Sequence, residues 1–316
     1  MYTIGIDLGG TNVAVGLCDD KLDMVDKISR PTVDGSADDI VREMADISRE
    51  LIEKNSLSLS DIEYVGVTAP GTVTDDGVVE YAPNLPFINY DLGGKFREYL
   101  PIGQVYTAND ANAAALGELV KGAGQGATSL VMLTLGTGVG GGVILEGRIF
   151  SGGINTSGTE LGHTVIIRGG RQCGCGRRGC LETYASATGL KLSTKEKIEE
   201  CDRLGIPTLM SGKFISGRTA FDAAKRGDAA AIEVVNDYID YLAIGATNMV
   251  NIFQPEVLLI GGGISGEGDY LILPLKEQID KEQYTHRNEI KTKVMRATLG
   301  NDAGIIGAAA LGRQAK

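Results

Sequence analysis

The feature that most constrains this chain is a pattern that occurs once in each half, a β-strand followed by a glycine-rich turn and a second strand. The first copy spans residues 3–18 and the second spans residues 129–145. Glycine lets a backbone approach a phosphate closely, and successive N–H groups in such a turn form an anion-binding concavity. Two such turns in equivalent places therefore predict a phosphate-binding protein. The turn residues are Gly9, Gly10, Thr11 and Asn12 in the first copy and Gly136, Thr137 and Gly138 in the second.

Both turns differ from the commonest nucleotide-binding fingerprints. Neither ends in the Gly-Lys-Ser or Gly-Lys-Thr of a P-loop. The second turn satisfies the spacing G-x-G-x-x-G through Gly136, Gly138 and Gly141, but the residues that follow are typical of a strand and a turn. A dinucleotide fingerprint opens a helix, so we discount that match.

Two further features accompany the turns. A buried strand predicted at residues 257–260 ends in a third glycine cluster, which strengthens the phosphate interpretation. The members of that cluster are Gly261, Gly262 and Gly263. Asp7 stands directly before the first turn, where its carboxylate is placed to hold Mg²⁺ directly or through water.

Length and helical periodicity indicate the fold class. Apolar residues recur at spacings of 4, 3 and 4 at Ile40, Met44, Ile47 and Leu51, which predicts an amphipathic helix. A longer helix is predicted over residues 228–250. A chain of 316 residues is too long for one ordinary core and fits two domains. Strands that alternate with helices predict an α/β fold with a mixed sheet in each half.

Composition argues against several classes of protein. The formal net charge is −11 and no run of Lys or Arg exceeds two residues, whereas a nucleic-acid binder normally presents a basic face. The apolar runs are far shorter than the ~20 residues of a membrane span, and the first residues do not resemble a signal peptide. We therefore expect a cytoplasmic protein that binds neither nucleic acid nor membrane.

A cluster of cysteines predicts a metal site. Cys173, Cys175 and Cys180 lie within eight residues, and His163 precedes them. In a reducing compartment such a cluster indicates metal ligands before disulfides. Three thiolates and one imidazole form a closed tetrahedral site that suits structural Zn²⁺. Because a closed site leaves no open position for water, we expect the metal to fix a loop and to take no part in the chemistry.

Three carboxylates stand out by their positions. Asp110 lies between two asparagines at a predicted strand-to-helix junction, where a helix N-cap is by itself the simpler interpretation. Glu160 lies three residues before His163, and Glu182 lies two residues after Cys180. Charged side chains in so constrained a place are more often site residues than surface decoration.

Taken together, these motifs resemble the ROK family (repressors, open reading frames, kinases). Residues 7–12 resemble its first phosphate motif and residues 135–142 its second. Residues 160–163 match its E-x-G-H motif, and residues 173–182 match C-x-C-G-x-x-G-C-x-E without a departure. The motifs stand in the right order from residue 7 to about residue 263, so the resemblance covers nearly the whole chain. Residues 182–189 further resemble the glucokinase branch.

The resemblance implies an actin-like, ribonuclease H-like ATPase fold, with two α/β domains around a cleft and the C-terminal helix returned to the first domain. We expect residues 1–115 plus 300–316 to form a small α/β domain with the first phosphate turn and part of a sugar site. Residues 116–299 are expected to form a large α/β domain with the second turn, the zinc loop and the nucleotide site.

The resemblance also implies roles for individual residues. Asp110 is expected to be the catalytic base that accepts the proton of a sugar hydroxyl. His163 is expected to serve both metal and sugar, so that the zinc loop supports the sugar site. The glycine cluster at residues 261–263 is expected to lie against the nucleotide. The expected sugar-binding residues are Gly71, Asn84, Asn109, Asp110, Glu160, His163 and Glu182.

The activity that the resemblance implies is ATP-dependent phosphorylation of glucose to glucose 6-phosphate for glycolysis, with Mg²⁺ and structural Zn²⁺ as cofactors. One alternative is the same chemistry on N-acetylglucosamine, N-acetylmannosamine, mannose or fructose, and polyphosphate is an alternative donor. The other is a sugar-responsive transcriptional regulator, which would need a DNA-binding segment before the phosphate motif that starts at residue 7. The family also suggests a homodimer or homotetramer.

Overall fold

The computed structural model describes residues 1–74, 76–154, 158–212 and 214–314. Their contacts divide the chain into two compact units. The first contains residues 1–130, 142–159 and 298–316, and the second contains residues 131–141 and 160–297. These units place residues 116–130 and 142–159 in the first unit, whereas the predicted boundaries put them in the second domain. Residues 315 and 316 of the predicted small domain lie outside the described residues.

The first unit is built on a mixed sheet. Its strands are β1 (Tyr2–Leu8), β2 (Asn12–Cys18), β3 (Met24–Pro31), β4 (Ile62–Ala69) and, further along the chain, β8 (Val105–Asn109). They lie in the order β3-β2-β1-β4-β8. β2 is antiparallel to β1 and β3, whereas β1, β4 and β8 run parallel. β1 and β4 are buried along nearly their whole length, as in sheets covered on both faces.

A small antiparallel sheet and helices complete the first unit. The small sheet contains β5 (Thr72–Val73), β6 (Val78–Tyr81) and β7 (Ile88–Asp91). The helices are α1 (Ala37–Lys54), α2 (Leu92–Tyr99), α3 (Asp110–Lys121) and, at the end of the chain, α9 (Ala303–Gln314). Short 3₁₀ turns lie at Leu59–Asp61 and Gly300–Asp302.

Helix α1 forms where periodicity and capping agree. The Asp39 N–H donates to the Ser36 hydroxyl at 3.2 Å, and the Ser36 N–H donates to the Asp39 carboxylate at 2.9 Å, which completes a capping box. The predicted apolar face is buried at Ile40, Met44, Ile47 and Leu51.

Helix α9 lies directly on the first sheet because glycines leave room for its backbone. A β-carbon added at Gly5 of β1 would fall 2.0 Å from the Ile305 carbonyl oxygen, and one at Gly66 of β4 would fall 1.8 Å from that of Ala308. The C-terminal helix therefore belongs to the first unit. Helix α3 packs along α9, so the chain cannot leave this unit at residue 115, which lies inside α3.

The second sheet is also mixed. Its strands are β9 (Leu130–Leu135), β10 (Val139–Leu145), β11 (Arg148–Ile149), β12 (Val257–Gly261) and β13 (Lys293–Arg296). Their order is β11-β10-β9-β12-β13, with β12 and β13 parallel and β10 and β11 antiparallel. The chain enters the second unit at residue 131, within β9, and leaves it after residue 141, within β10.

The remaining helices belong to the second unit. They are α4 (Glu182–Ala185), α5 (Ala187–Leu204), α6 (Thr219–Ala224), α7 (Ala229–Phe253) and α8 (Asp269–Glu282), with 3₁₀ turns at Leu161–His163 and Gly263–Glu267. Asp228 caps α7 by accepting the Ala231 N–H at 2.8 Å, so the long predicted helix starts where expected. Within the described ranges, no helix combines the length and hydropathy needed to cross a membrane.

Candidate active site

The first phosphate turn joins β1 to β2 and is braced by its own sheet. The Gly9 N–H donates to the Asn12 carbonyl at 2.9 Å. Thr32, directly after β3, donates its N–H to the Thr11 carbonyl at 2.9 Å and its hydroxyl to the Gly9 carbonyl at 2.8 Å. Gly10, Thr11 and Asn12 are exposed. The base of the turn is therefore held in place while its rim stays open to a ligand.

Asp7 lies beneath this turn, between a strand and a helix. The Thr68 hydroxyl donates to its Oδ1 at 3.0 Å, and a β-carbon added at Gly304 would fall 2.5 Å from its carboxylate. Burial raises the pKa of Asp7, and the hydrogen bond from Thr68 opposes that rise. Asp7 is still partly exposed. Its oxygen donors fit a cation such as Mg²⁺, bound directly or through water.

The junction between β8 and α3 assigns the helix cap to Asn109. Its Oδ1 accepts the N–H groups of Ala111 at 2.9 Å and Asn112 at 3.1 Å, and its Nδ2 donates to the Gly71 carbonyl at 3.0 Å. Asp110 is the first helical residue, and its Oδ1 accepts the Ala111 N–H at 2.8 Å. Because Asn109 supplies the cap, capping alone does not account for a carboxylate at position 110, which favours a site role.

Gly71 and Asn84 both occupy left-handed backbone positions in the first unit. Gly71 has φ of 88°, and a β-carbon there would fall 2.1 Å from the Tyr81 carbonyl oxygen. Asn84 has φ of 66°, and its β-carbon lies 3.7 Å from where a β-carbon of Gly10 would be. The structure therefore brings Gly71 to Asn109 and Asn84 to the first phosphate turn.

The second phosphate turn joins β9 to β10 and is braced by a distant segment. Within the turn, the Gly136 N–H donates to the Gly138 carbonyl at 3.0 Å. From the start of α5, the Ala187 N–H donates to the Gly136 carbonyl and the Thr188 hydroxyl to the Thr137 carbonyl, each at 2.8 Å. Both contacts use carbonyl groups of the turn and therefore occupy none of the N–H groups that an anion would need.

Glu182 lies against the same turn. Its Oε2 accepts the Val139 N–H at 3.1 Å, and a β-carbon added at Gly138 would fall 2.3 Å from that oxygen. Its Oε1 lies 3.7 Å from the Cys173 Sγ. The carboxylate therefore lies between the phosphate turn and the cysteine cluster, a position that the motif alone does not reveal.

The four predicted metal ligands come together in the second unit. One donor atom from each of His163, Cys173, Cys175 and Cys180 lies within 4.8 Å of the others. The Cys175 and Cys180 sulfurs are 3.7 Å apart, and the Cys173 Sγ is 3.5 Å from His163 Nδ1. A zinc tetrahedron with Zn–S of about 2.3 Å and Zn–N of about 2.0 Å has edges of about 3.8 Å and about 3.5 Å. These two pairs therefore already stand at the spacing that zinc requires, and all four donors lie within 4.8 Å of one another.

Protonation of these thiols opposes metal binding. Burial raises the pKa of the Cys180 thiol to about 12 and also raises that of Cys173, whereas a backbone hydrogen bond from Arg177 lowers the pKa of Cys175. A cation that binds here must displace the protons of the buried thiols, so its affinity falls as the pH falls.

The E-x-G-H motif forms the 3₁₀ turn that carries His163. The His163 N–H donates to the Glu160 carbonyl at 3.0 Å. A β-carbon added at Gly162 would fall 2.0 Å from the Val139 carbonyl oxygen, so the turn packs on the start of β10. Because His163 turns Nδ1 toward Cys173, its Nε2 is left for a second partner.

The third glycine cluster lies at the end of β12. Gly262 has φ of 78°, and a β-carbon there would fall 2.5 Å from the Leu135 backbone nitrogen. Leu135 directly precedes the second phosphate turn. The Ser265 hydroxyl donates to the Gly262 carbonyl at 2.8 Å. The structure therefore brings Gly262, the middle residue of this cluster, against the base of the second turn.

The sequence model of the ROK family matches residues 3–315. The chain belongs to the ROK family.

Relatives within the family are similar over nearly their whole length. The glucokinase of Halalkalibacterium halodurans is 39% identical over 320 residues, 99% of this chain and 95% of that protein. The glucokinase of Thermotoga maritima is 37% identical over 315 residues, 98% of this chain and 96% of that protein. A ROK family glucokinase from Streptomyces griseus in complex with glucose and AMPPNP superposes with a TM-score of 0.79 at 32% identity, over 99% of this chain and 100% of that one. These similarities confirm the predicted family and its actin-like α/β fold.

Several supporting residues of this ROK protein were not identified from its sequence. Thr32 and Thr68 carry no local signal, because each acts on a turn or strand that lies far away in the chain. Thr188 lies in a stretch that resembles the glucokinase branch, yet that resemblance does not indicate what its hydroxyl contacts.

Proposed function

We propose that this chain is a glucokinase that transfers the γ-phosphoryl group of ATP to the 6-hydroxyl of glucose. The observation that carries the proposal is the Streptomyces griseus structure, which holds glucose and the ATP analogue AMPPNP on a chain similar to this one over 99% of its length. The identities of 39% and 37% to two further glucokinases support the same substrate.

Asp110 is the proposed general base. Phosphoryl transfer requires positioning and charge stabilisation more than covalent chemistry, and the sugar hydroxyl needs a proton acceptor at about 3 Å. Asp110 stands at the first position of α3, beside the cap that Asn109 provides. The 6-hydroxyl gives its proton to Asp110 as its oxygen bonds to the γ-phosphorus, and the bond from that phosphorus to the ADP oxygen breaks.

Sugar ligands are proposed in each unit separately. From the first unit, Asn109 uses one Nδ2 hydrogen on Gly71 and keeps the other for a sugar hydroxyl. From the second unit, Glu160 belongs to the same E-x-G-H motif as His163. The Nδ1 of His163 lies 3.5 Å from the Cys173 Sγ, and its Nε2 is proposed to bind a sugar hydroxyl. Glu182 adds carboxylate oxygens that accept from sugar hydroxyls. Gly71 and Asn84 are proposed to shape the site from the first unit.

Each phosphate turn is proposed to bind phosphate oxygens of the nucleotide. The exposed or glycine-lined backbones of the turns suit an anion. Gly262 lies against Leu135 at the base of the second turn, and Gly261, Gly262 and Gly263 are proposed to lie against the nucleotide. Mg²⁺, when bound, neutralises charge on the transferred phosphoryl group. Asp7 is the carboxylate that would hold it, while Thr11 and Asn12 offer side-chain groups at the rim. His163, Cys173, Cys175 and Cys180 would hold Zn²⁺ and so keep the loop in place.

The decisive experiment measures the initial rate of ADP formation with Mg-ATP and a concentration series of glucose or N-acetylglucosamine. A kcat/KM for glucose far above that for the amino sugar is the expected result. The reverse order would move the enzyme to acetylated hexosamines, with mannose and fructose as the next sugars to assay. If the protein phosphorylates sugar with polyphosphate but not with ATP, the phosphate donor is polyphosphate. A folded, zinc-loaded protein that phosphorylates no sugar with either donor would overturn the kinase proposal in favour of a sugar-responsive regulator.

We also propose a cytoplasmic, glycolytic setting and a homodimer or homotetramer without nucleic-acid partners. Free thiols as metal ligands suit a reducing compartment. Large apolar side chains stay exposed on the second unit at Ile244, Ile252, Leu273 and Tyr284, which supports assembly of subunits. Sedimentation velocity at micromolar protein concentration tests the proposed assembly, and a single monomeric species would rule out a homodimer or homotetramer.

A further inference from the structure

The segment after the cysteine cluster forms a corner between two helices that faces the second phosphate turn. We define the Glu182–Thr188 corner as helix α4, the linking Ser186 and the first residues of α5. It makes a hydrogen bond to each of three residues of the turn region. The pairs are Glu182 Oε2 with the Val139 N–H at 3.1 Å, the Ala187 N–H with the Gly136 carbonyl at 2.8 Å, and the Thr188 hydroxyl with the Thr137 carbonyl at 2.8 Å.

The same corner is tied to the metal ligands. Cys180 lies two residues before Glu182, and its carbonyl accepts the Thr183 N–H at 3.0 Å and the Thr183 hydroxyl at 2.8 Å. The Leu181 N–H donates to the carbonyl of Thr164, the neighbour of His163, at 2.9 Å. We call residues 163–180, which carry the four candidate ligands, the metal loop. Only Leu181 separates Cys180 from the corner, so a displacement of the metal loop moves the corner with it.

The interior of the corner is rigid. Leu181 and Ala185 are fully buried, and the Tyr238 hydroxyl donates to the Ala185 carbonyl at 2.7 Å. Ser186 caps α5 by accepting the Gly189 N–H at 3.0 Å, and its own N–H donates to the Glu182 carbonyl at 3.2 Å. Because of these internal hydrogen bonds, we expect the corner to move as a rigid unit when the metal loop moves.

We propose that the metal loop positions the second phosphate turn through the Glu182–Thr188 corner, so that metal loading sets affinity for the nucleotide as well as the shape of the sugar site. A glycine-rich turn has many accessible backbone conformations, and contacts that select one of them before binding raise affinity. Glu182 and Thr188 are positioning residues in this role. The inference rests on the proposed kinase function, since the nucleotide is the ligand assigned to the turn.

The first test is Thr188→Val, which removes one hydroxyl contact at nearly constant volume and touches no metal ligand. We expect the Kd for Mg-AMPPNP, measured by titration calorimetry without sugar, to rise roughly three- to tenfold, the loss expected for one hydrogen bond. Zinc content and the Kd for glucose should stay unchanged. The matched control is Glu199→Gln on the same helix, where an exposed pair with Lys195 at 3.8 Å is lost and neither Kd should change.

The second test asks whether Glu182 acts through the oxygen that accepts the Val139 N–H or through its negative charge. Glu182→Gln keeps an oxygen that accepts this N–H, whereas Glu182→Leu has none. We expect Glu182→Leu to weaken Mg-AMPPNP by about tenfold and Glu182→Gln to recover most of that loss. A role in sugar binding alone would leave nucleotide affinity equal in all three proteins.

The third test removes zinc with a chelator from the wild-type protein and from Thr188→Val, with circular dichroism to confirm folding. Zinc loss should weaken the binding of Mg-AMPPNP in the wild type and weaken it less in Thr188→Val, because one of the three linking hydrogen bonds is already lost there. Unchanged nucleotide affinity in zinc-free, folded wild type, or in Thr188→Val, would overturn the inference. If the zinc-free protein unfolds, the Kd values for Mg-AMPPNP of Thr188→Val and of the Glu182 variants decide whether the inference holds. Wild type that binds no Mg-AMPPNP at all would instead refute the kinase function.

Discussion

The two phosphate turns share a local pattern and differ in what holds them. The first is braced by Thr32 from the strand beside it, so its support comes from its own sheet. The second is braced by Glu182, Ala187 and Thr188, about fifty residues further along the chain. Similar turns can therefore be held by different parts of a molecule, one by its own sheet and the other by a distant segment that follows the cysteine cluster.

The largest effect on activity should come from Asp110. A substitution there tests the proposed general base without changing the contacts that hold either phosphate turn. Asp110→Asn should lower kcat by a factor on the order of 10² to 10⁴, because the amide cannot accept the hydroxyl proton. The Kd for Mg-AMPPNP and the thermal unfolding midpoint should stay close to wild type, since Asn109 still caps α3. A rate near that of the wild type would show that another group is the base.

Loss of the metal should affect one turn and spare the other. Cys175→Ser should lose zinc and several kcal/mol of stability, in view of the roughly 10 kcal/mol that structural zinc contributes in small domains. Hydrogen exchange should speed up at the second turn and in the Glu182–Thr188 corner but not at Gly9 to Asn12. Cys201→Ser, at a buried thiol outside the cluster, serves as the control and should retain zinc. Equally faster hydrogen exchange at both turns would show that the second turn does not depend on the metal loop more than the first does.

A matched pair of glycine substitutions tests the two turns directly. A β-carbon at Gly138 would fall 2.3 Å from Glu182 Oε2, whereas one at Gly10 meets only Asn84 Cβ at 3.7 Å. Gly138→Ala should therefore cost about 1–3 kcal/mol of unfolding free energy. Gly10→Ala should change it by less than about 0.5 kcal/mol. Denaturant unfolding measures both, and equal costs would mean that the second turn is not held as closely as described.

The smallest effect should appear at Asp7 and should depend on pH. Burial raises the pKa of Asp7 and the Thr68 hydroxyl lowers it, so Thr68→Val should raise it further. A raised carboxyl pKa destabilises the fold above the unfolded-state pKa, and the full cost appears above the folded-state pKa. Thr68→Val should therefore cost about 1–2 kcal/mol more of unfolding free energy at a pH above the raised pKa of Asp7 than near about pH 4.5. An equal cost at the two pH values would show that the Thr68 hydroxyl does not influence the pKa of Asp7.

Prediction from sequence succeeded where the signal is local. The face of α1, the start of α7 and the strands on either side of each turn follow periodicity and capping that act over a few residues. The four metal donors meet because three of them lie within eight residues, which leaves the chain little freedom to separate them. The predicted boundary at residue 115 lies inside α3, and no local signal indicates that α9 packs along this helix from the far end of the chain.

Local patterns in the chain also specify the family motifs and the order in which they occur, because each motif is a short run of residues. Only the folded chain assigned the helix cap to Asn109 and left Asp110 for another role. Only the folded chain placed Glu182 between the cysteine cluster and the Val139 N–H. Contacts of this kind join segments that lie tens of residues apart. No periodicity encodes them, because they depend on how the sheets and helices pack rather than on what any segment does alone.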